Sequence, residues 1–274
     1  MKFVCLGYGQ ERDWDAMTKA EQDAAIDECF TYDDELLKSG HWVDGGQALQ
    51  SSSNAKTLRW KNGKVVVTDG PFADTKEQLG GFGVLEARDM GHAVELVSKH
   101  PGLRLGGPFE IRPVDEEMLQ RSLALDAKHR NDAATATLGN AHPVKFAALG
   151  YGCVSERSRS GTFNVDAMIE ECIAFDVARR KNGQWLGGIK LQGVETVKTL
   201  RAKGGNVVVT DGPFAETKEQ LGGVVVLGLT DMNHAIELLS NLPALRFGVT
   251  IEVRPVDKEI NARWESRQGR IVTV

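Results

Sequence analysis

Two blocks of this 274-residue chain are nearly identical. VVVTDGPFADTKEQLGG runs from Val65 to Gly81, and VVVTDGPFAETKEQLGG from Val207 to Gly223; they differ only at Asp74 and Glu216. The likeness extends along the chain. LGYG at Leu6–Gly9 returns at Leu149–Gly152, DECF at Asp27–Phe30 returns as EECI at Glu170–Ile173, and KTLR at Lys56–Arg59 returns at Lys198–Arg201. EIRPVD at Glu110–Asp115 returns as EVRPVD at Glu252–Asp257. The offset is 143 residues early in the unit and 142 later, so one residue is inserted near Asp44. Solenoid repeats run at about 20–50 residues, so a period this long means two copies of a whole domain. Repeat 1 is expected over residues 1–120, a helical extension and linker over 121–142, and repeat 2 with its C-terminal tail over 143–274.

Within one unit, KFVCLGY is a short apolar strand, and Thr18 with Glu21 forms a T-x-x-E capping box that opens a helix. Ile26, Cys29, Phe30 and Leu37 fall on one face of that helix, and Gly40 is its expected stop. HWVDGGQAL reads as a strand with a glycine irregularity, and KTLRWKNGKVVVTDG as a hairpin turning at KNGK. After the repeated block comes the strand GGFGVLEA, then a helix capped by Asp89 (Asp231 in the second copy), then the strand FEIRPVD. This order predicts an α+β fold with two helices on one face of a mostly antiparallel sheet. The other face needs cover, which a second copy in the same chain supplies as an internal pseudo-dimer.

Charged residues make up 26% of the chain, and its formal net charge of −5 gives no bulk attraction for nucleic acid or anionic membrane. No apolar run approaches the about 20 residues that span a bilayer, and the N-terminus lacks a signal-peptide pattern. Cys5, Cys29, Cys153 and Cys172 form no CxxC pair and read as free thiols in a reducing, cytoplasmic setting. No nucleotide, nucleophile-elbow or metalloprotease motif is present, so neither a cofactor nor a metal is expected. The expected partner is a small molecule, and the chain is expected to be a monomer or to dimerise further.

VTDGPFADTKEQLGGF, the preceding GGQAL and the closing EIRPVD resemble the DGPF branch of the YCII-related proteins, over nearly all of each half and in order. The resemblance implies two ferredoxin-like repeats, each βαββαβ with an extra hairpin, pairing as an intramolecular dimeric α/β barrel. It also implies a histidine on the first helix and an aspartate after the second, and in a few relatives a dehydrochlorinating activity. This chain departs from that pattern. Its first helices, AEQDAAIDECFTYDDELLKSG and NVDAMIEECIAFDVARRKNG, contain no histidine, and the later segments KHPGL and NLPAL contain no aspartate.

The candidate residues come in pairs. Asp33 and Asp176 lie on or beside the packing face of the first helix, where a half-buried carboxylate could act as acid or base or be held structurally at a rim. Asp69 and Asp211, in TDGP, are either local caps or pocket carboxylates. Phe72 and Phe214 read as hydrophobic plugs. Thr75 with Gln78, and Thr217 with Gln220, read as boxes opening a helical turn, beside which Lys76 and Lys218 could hold an anion. Tyr8 and Tyr151 end the first strands and could point into a pocket or sit at an edge. Arg59, Arg201, Arg112 and Arg254 could bind a carboxylate substrate or pair across the sheet. His92 and His234 lack companions for metal binding, and His41, His100, His129 and His142 are not repeated. The leading expectation is a small-molecule pocket protein that, if catalytic, performs cofactor-free elimination or isomerisation. The alternatives are a non-catalytic binding or regulatory module acting through the pseudo-dimer surface, and a block that serves the fold alone.

Overall fold

The computed structural model describes residues 1–130, 144–152, 165–215 and 217–268. Cys153 and most of the linker lie outside these. Repeat 1 runs β1 (Lys2–Gly9), α1 (Glu11–Asp15), α2 (Lys19–Lys38), β2 (Trp42–Ala48), β3 (Lys56–Lys61), β4 (Lys64–Asp69), β5 (Gln78–Glu86), α3 (Met90–Ser98), β6 (Phe109–Pro113) and α4 (Glu116–Arg130). Repeat 2 runs β7 (Val144–Gly152), α5 (Val165–Arg180), β8 (Trp185–Lys190), β9 (Lys198–Lys203), β10 (Asn206–Asp211), β11 (Gln220–Leu229), α6 (Met232–Ser240), α7 (Pro243–Arg246), β12 (Thr250–Pro255) and α8 (Lys258–Gln268).

Local signals carry these elements. Thr18 and Glu21 form the reciprocal capping box of α2, and Gly40 follows it at φ +76°. Asp89 and Asp231 accept the amide hydrogens of His92 and His234 at the starts of α3 and α6. The hairpin turns use Asn62 and Gly63 at φ 50° and 79°, and Gly204 and Gly205 at 58° and 80°, the left-handed geometry that matches strand twist. One expected feature is different. Residues 75–78 form no helical turn. The Gln78 side-chain amide donates to the carbonyls of Ala73 and Thr75, and Thr75 Oγ1 donates to the Glu77 carbonyl. The box residues thus satisfy loop carbonyls rather than helix amides, and Gln220 and Thr217 repeat the pattern.

The strands form two six-stranded sheets, ordered β10-β9-β6-β1-β5-β2 and β4-β3-β12-β7-β11-β8, with antiparallel pairing throughout. Each sheet is therefore built from both repeats. The hairpin β3–β4 of repeat 1 pairs with β12 of repeat 2, and the hairpin β9–β10 pairs with β6 of repeat 1. This exchange follows the two-fold logic of a swapped dimer.

Strand alternation divides the core into layers. In β1, Phe3 and Cys5 face the helices of repeat 1, while Val4 and Leu6 face the second sheet. In β7, Phe146 and Ala148 face helices, and Ala147 and Leu149 meet Val4 and Leu6 between the sheets. Single bridges, Leu49 with Val256 and Val114 with Leu191, also tie the ends of the two sheets together. Leu200, from the exchanged hairpin, is fully buried in the helix-facing core of repeat 1, and Leu58 is its counterpart in repeat 2.

Leu58→Ala and Leu200→Ala should therefore each cost about 2–5 kcal/mol, and the damage should appear in the opposite repeat. Hydrogen exchange checks this: Leu200→Ala should deprotect β1 and β6 before β7 and β12. Deprotection confined to repeat 2 would contradict the exchanged arrangement.

Candidate functional site

The repeated block forms the joint between the repeats. Gly70 and Gly212 take φ of +88° and +87°, and each backbone turns under its hairpin. The Phe72 amide then donates to Glu252 at 2.8 Å, and the Phe214 amide to Glu110 at 2.8 Å. Phe72 stacks on Tyr151 and Phe214 tilts against Tyr8, both at 4.2 Å between centroids. Arg59 donates to the Phe72 carbonyl at 2.9 Å and lies over its ring. Arg201 pairs with Glu77 of the other repeat at 3.0 Å. Buried Arg112 donates to the carbonyls of Leu221 and Gln192, and buried Arg254 to the Leu79 carbonyl and to Glu252.

The predicted residues thus divide. Tyr8, Tyr151, Phe72 and Phe214 meet around a small central cavity of about 50 Å³, with Glu110 and Glu252 beside them. Asp69 and Asp211 stand away from it on the surface, 87% and 85% exposed, paired with Lys56 and Lys198. Lys76 and Lys218 are exposed.

A much larger cavity, about 710 Å³, opens in repeat 1 between α2, the sheet and α8. Asp33 and His100 line it. Asp33 is 8% exposed, and its Oδ1 lies 3.2 Å from His100 Nε2. The Gly102 amide donates to His100 Nδ1 at 3.0 Å, which assigns the ring proton to Nε2, so His100 donates to Asp33. Phe109 and Tyr32 hold the imidazole from two sides. Burial, then the neighbouring Asp33 charge, pushes the Cys5 and Cys29 thiols up to about 12. Both therefore stay protonated near neutrality, and the reactive polar groups of this wall are the carboxylate and the imidazole.

His100 is the residue that sequence reasoning passed over, because it is not repeated. The two segments that the family resemblance singles out hold the expected residue types in exchanged places: the aspartate is on the first helix and the histidine follows the second. A second signal was available. KHPGL becomes NLPAL, so His100 and Gly102 change together, to Leu242 and Ala244. A Cβ at Gly102 would come within 2.9 Å of His100 Nδ1. Nearby, Gly83 becomes Val225; a Cβ at Gly83 would strike the Trp42 ring at 2.2 Å.

The walls also come from both repeats. Helix α8 lies across α2 of repeat 1, with Trp264 against Phe30 at 5.3 Å and Asn261 bonded to both the amide and the carbonyl of Ala48. Arg263 pairs with Asp23 and Asp27, Arg267 with Asp34, and Lys19 with Glu259. In repeat 2, Met118 of α4 packs instead against Ile169, Ile173 and Val177 of α5, and Leu242 is buried beside Phe175 and Trp185. Asp176 lies half-buried on α5 with no histidine at the position matching His100.

Burial raises the Glu110 carboxyl above its ordinary value, against the opposing pull of the Phe214 amide, Arg112 and the Tyr8 hydroxyl. The same burial, with Glu110 next, raises the Tyr8 phenol. A carboxyl whose pKa is raised on folding stabilises most below its unfolded pKa and loses that contribution as pH climbs through the folded value. Unfolding midpoints measured from pH 4 upward should therefore carry a downward component that Glu110→Gln removes, since glutamine keeps an acceptor for the Phe214 amide. Equal slopes in the two proteins would rule out this role for Glu110.

Residues 1–118 and 151–259 each match the model of the YCII-related domain. An uncharacterized protein of Rhizobium meliloti (strain 1021) is 28% identical over 118 residues, which is 42% of this chain and 92% of that protein. The crystal structure of a protein named "Putative Chlorite dismutase" is similar over 96% of this chain and 98% of its own, at 12% identity and a TM-score of 0.40. With its two matches spanning most of its length, this chain belongs to the YCII-related family.

Proposed function

We propose that this chain is a small-molecule pocket protein whose working site lies in repeat 1, where Asp33 and His100 perform cofactor-free acid–base chemistry of the elimination or isomerisation type. The carrying observation is the buried Asp33–His100 hydrogen bond on the wall of a cavity large enough for an organic molecule. Asp33 takes a proton from a carbon next to an electron-withdrawing group. His100, fixed by Gly102 and Phe109, donates its Nε2 hydrogen to one carboxylate oxygen and keeps it in place. Asp33 returns the proton it has taken to another carbon of the same molecule in an isomerisation, or to water after the leaving group has departed with its electron pair in an elimination. The protonated Tyr8 phenol, at the edge of the same cavity, is a second donor. In this reading Asp69 and Asp211 serve the hairpin, and Asp176 is the remnant of a second site. The inter-sheet bridges support a finer fold reading, an intramolecular dimeric α/β barrel.

The test is ligand stabilisation followed by isotope exchange. Neutral phenols and small carbon acids that raise the melting temperature of the native protein should fail to do so with His100→Leu, the residue repeat 2 carries. In D2O, NMR should show carbon-bound hydrogen of a stabilising ligand exchanging at least about 10²-fold more slowly with Asp33→Asn. Exchange at the native rate in that variant would defeat the proposal.

A further inference from the structure

The charge and the aromatic walls of the repeat-1 cavity together say what kind of molecule fits it. This deepens the function proposed above and rests on it. Five carboxylates line the cavity and its mouth: Glu11, Asp15, Asp33, Asp257, and Asp13, which is paired with Arg12 outside the lining. The one guanidinium among the lining residues, Arg104, is already paired with Glu28 outside it. His100 brings no positive charge, because its Nδ1 accepts the Gly102 amide hydrogen. The field inside is therefore negative, and an anionic ligand would meet Asp33 without a countercharge.

The walls are aromatic. Three of the five tryptophans of the chain, Trp14, Trp42 and Trp264, line this cavity. Trp42 is 9% exposed and Trp264 4% exposed, and neither indole N–H finds an acceptor among the described residues. Flat faces suit a flat ligand, and indole faces beside carboxylates favour positive charge. Trp264 comes from repeat 2, so the site is complete only when both repeats are present.

We infer that the ligand of the repeat-1 cavity is a planar aromatic or heteroaromatic molecule carrying no net negative charge, gripped between Trp42 and the Trp264 brought in by the other repeat. Calorimetric titration of the full chain at pH 8 and low salt, with three probes of matched size, tests this: quinoline (neutral), 1-methylquinolinium (cation) and naphthalene-2-sulfonate (anion). The neutral and cationic probes should bind at least about tenfold more tightly than the anion. The advantage of the cation over the neutral probe should shrink with Asp33→Asn, with Asp15→Asn at the exposed mouth, and in 0.5 M salt. Trp264→Leu should weaken binding of the neutral and cationic probes by about tenfold while leaving the circular dichroism spectrum intact. An anion that binds as tightly as the cation would overturn the charge assignment and leave the pocket reading standing. Probes that bind Trp264→Leu as well as the native chain would overturn the cross-repeat grip. No binding of any probe to the native chain would overturn both the inference and the function it rests on.

Discussion

Everything in this molecule depends on the exchange of hairpins between the repeats. Each sheet would end at β6 or β12 if the hairpins stayed at home, and the inward leucines Leu58 and Leu200 would have no core to enter. The exchange is secured where the chain turns out of the hairpin. There a buried glutamate of one repeat accepts the phenylalanine amide of the other, and a buried arginine reaches the other repeat's backbone carbonyls. Buried charges are costly unless paired and hydrogen-bonded. Glu110, Arg112, Glu252 and Arg254 each take at least one hydrogen-bond partner from the opposite repeat, and Arg254 also pairs with Glu252 beside it. Folding and pairing are thus coupled, and separating the repeats would take from each of these four buried groups the hydrogen-bond partners that the other repeat supplies.

The same connectivity explains how one site came to differ from the other. The C-terminal helix of each repeat lies over the first helix of its neighbour. In one direction α4 lays Met118 on an isoleucine–valine face; in the other α8 spans an open cavity with Trp264 and Asn261. Replacing His100 by Leu242, Gly102 by Ala244 and Gly83 by Val225 changes the imidazole and the space around it together. The fold keeps its pseudo-symmetry through the sheets while the large cavity and the Asp33–His100 pair sit on one side.

Much of this was legible from residues alone. The duplication, the caps at Thr18, Asp89 and Asp231, the left-handed hairpin turns and the antiparallel α+β layout all rest on short-range rules. Asp33 was legible too, because helical spacing sets it on the packing face. Two things were not. Which sheet a hairpin joins is decided by contacts across more than a hundred residues, such as Leu58 against Ile251, and a local pattern is the same either way. His100 was hidden because a search for repeated residues discards what only one copy retains. Its partner lies 67 residues earlier, and only the fold brings the two together.

That contrast also explains why the VVVTDGPF block is nearly the same in both copies while the cavity residues are not. Each block docks on the glutamate and arginine strand of the other repeat, so a change in one copy must be answered by the surface of the other. Phe72 has to suit Tyr151 and Glu252, and Phe214 has to suit Tyr8 and Glu110. The joint is two-fold, and both of its halves meet the same geometric demand. His100 and Gly102 meet Asp33, Tyr32 and Phe109 of their own repeat and make none of the hydrogen bonds of the joint described above, so their counterparts can change with less effect on the pairing. Near-identity in this chain therefore reports the joint, and departures from identity mark the large cavity of repeat 1.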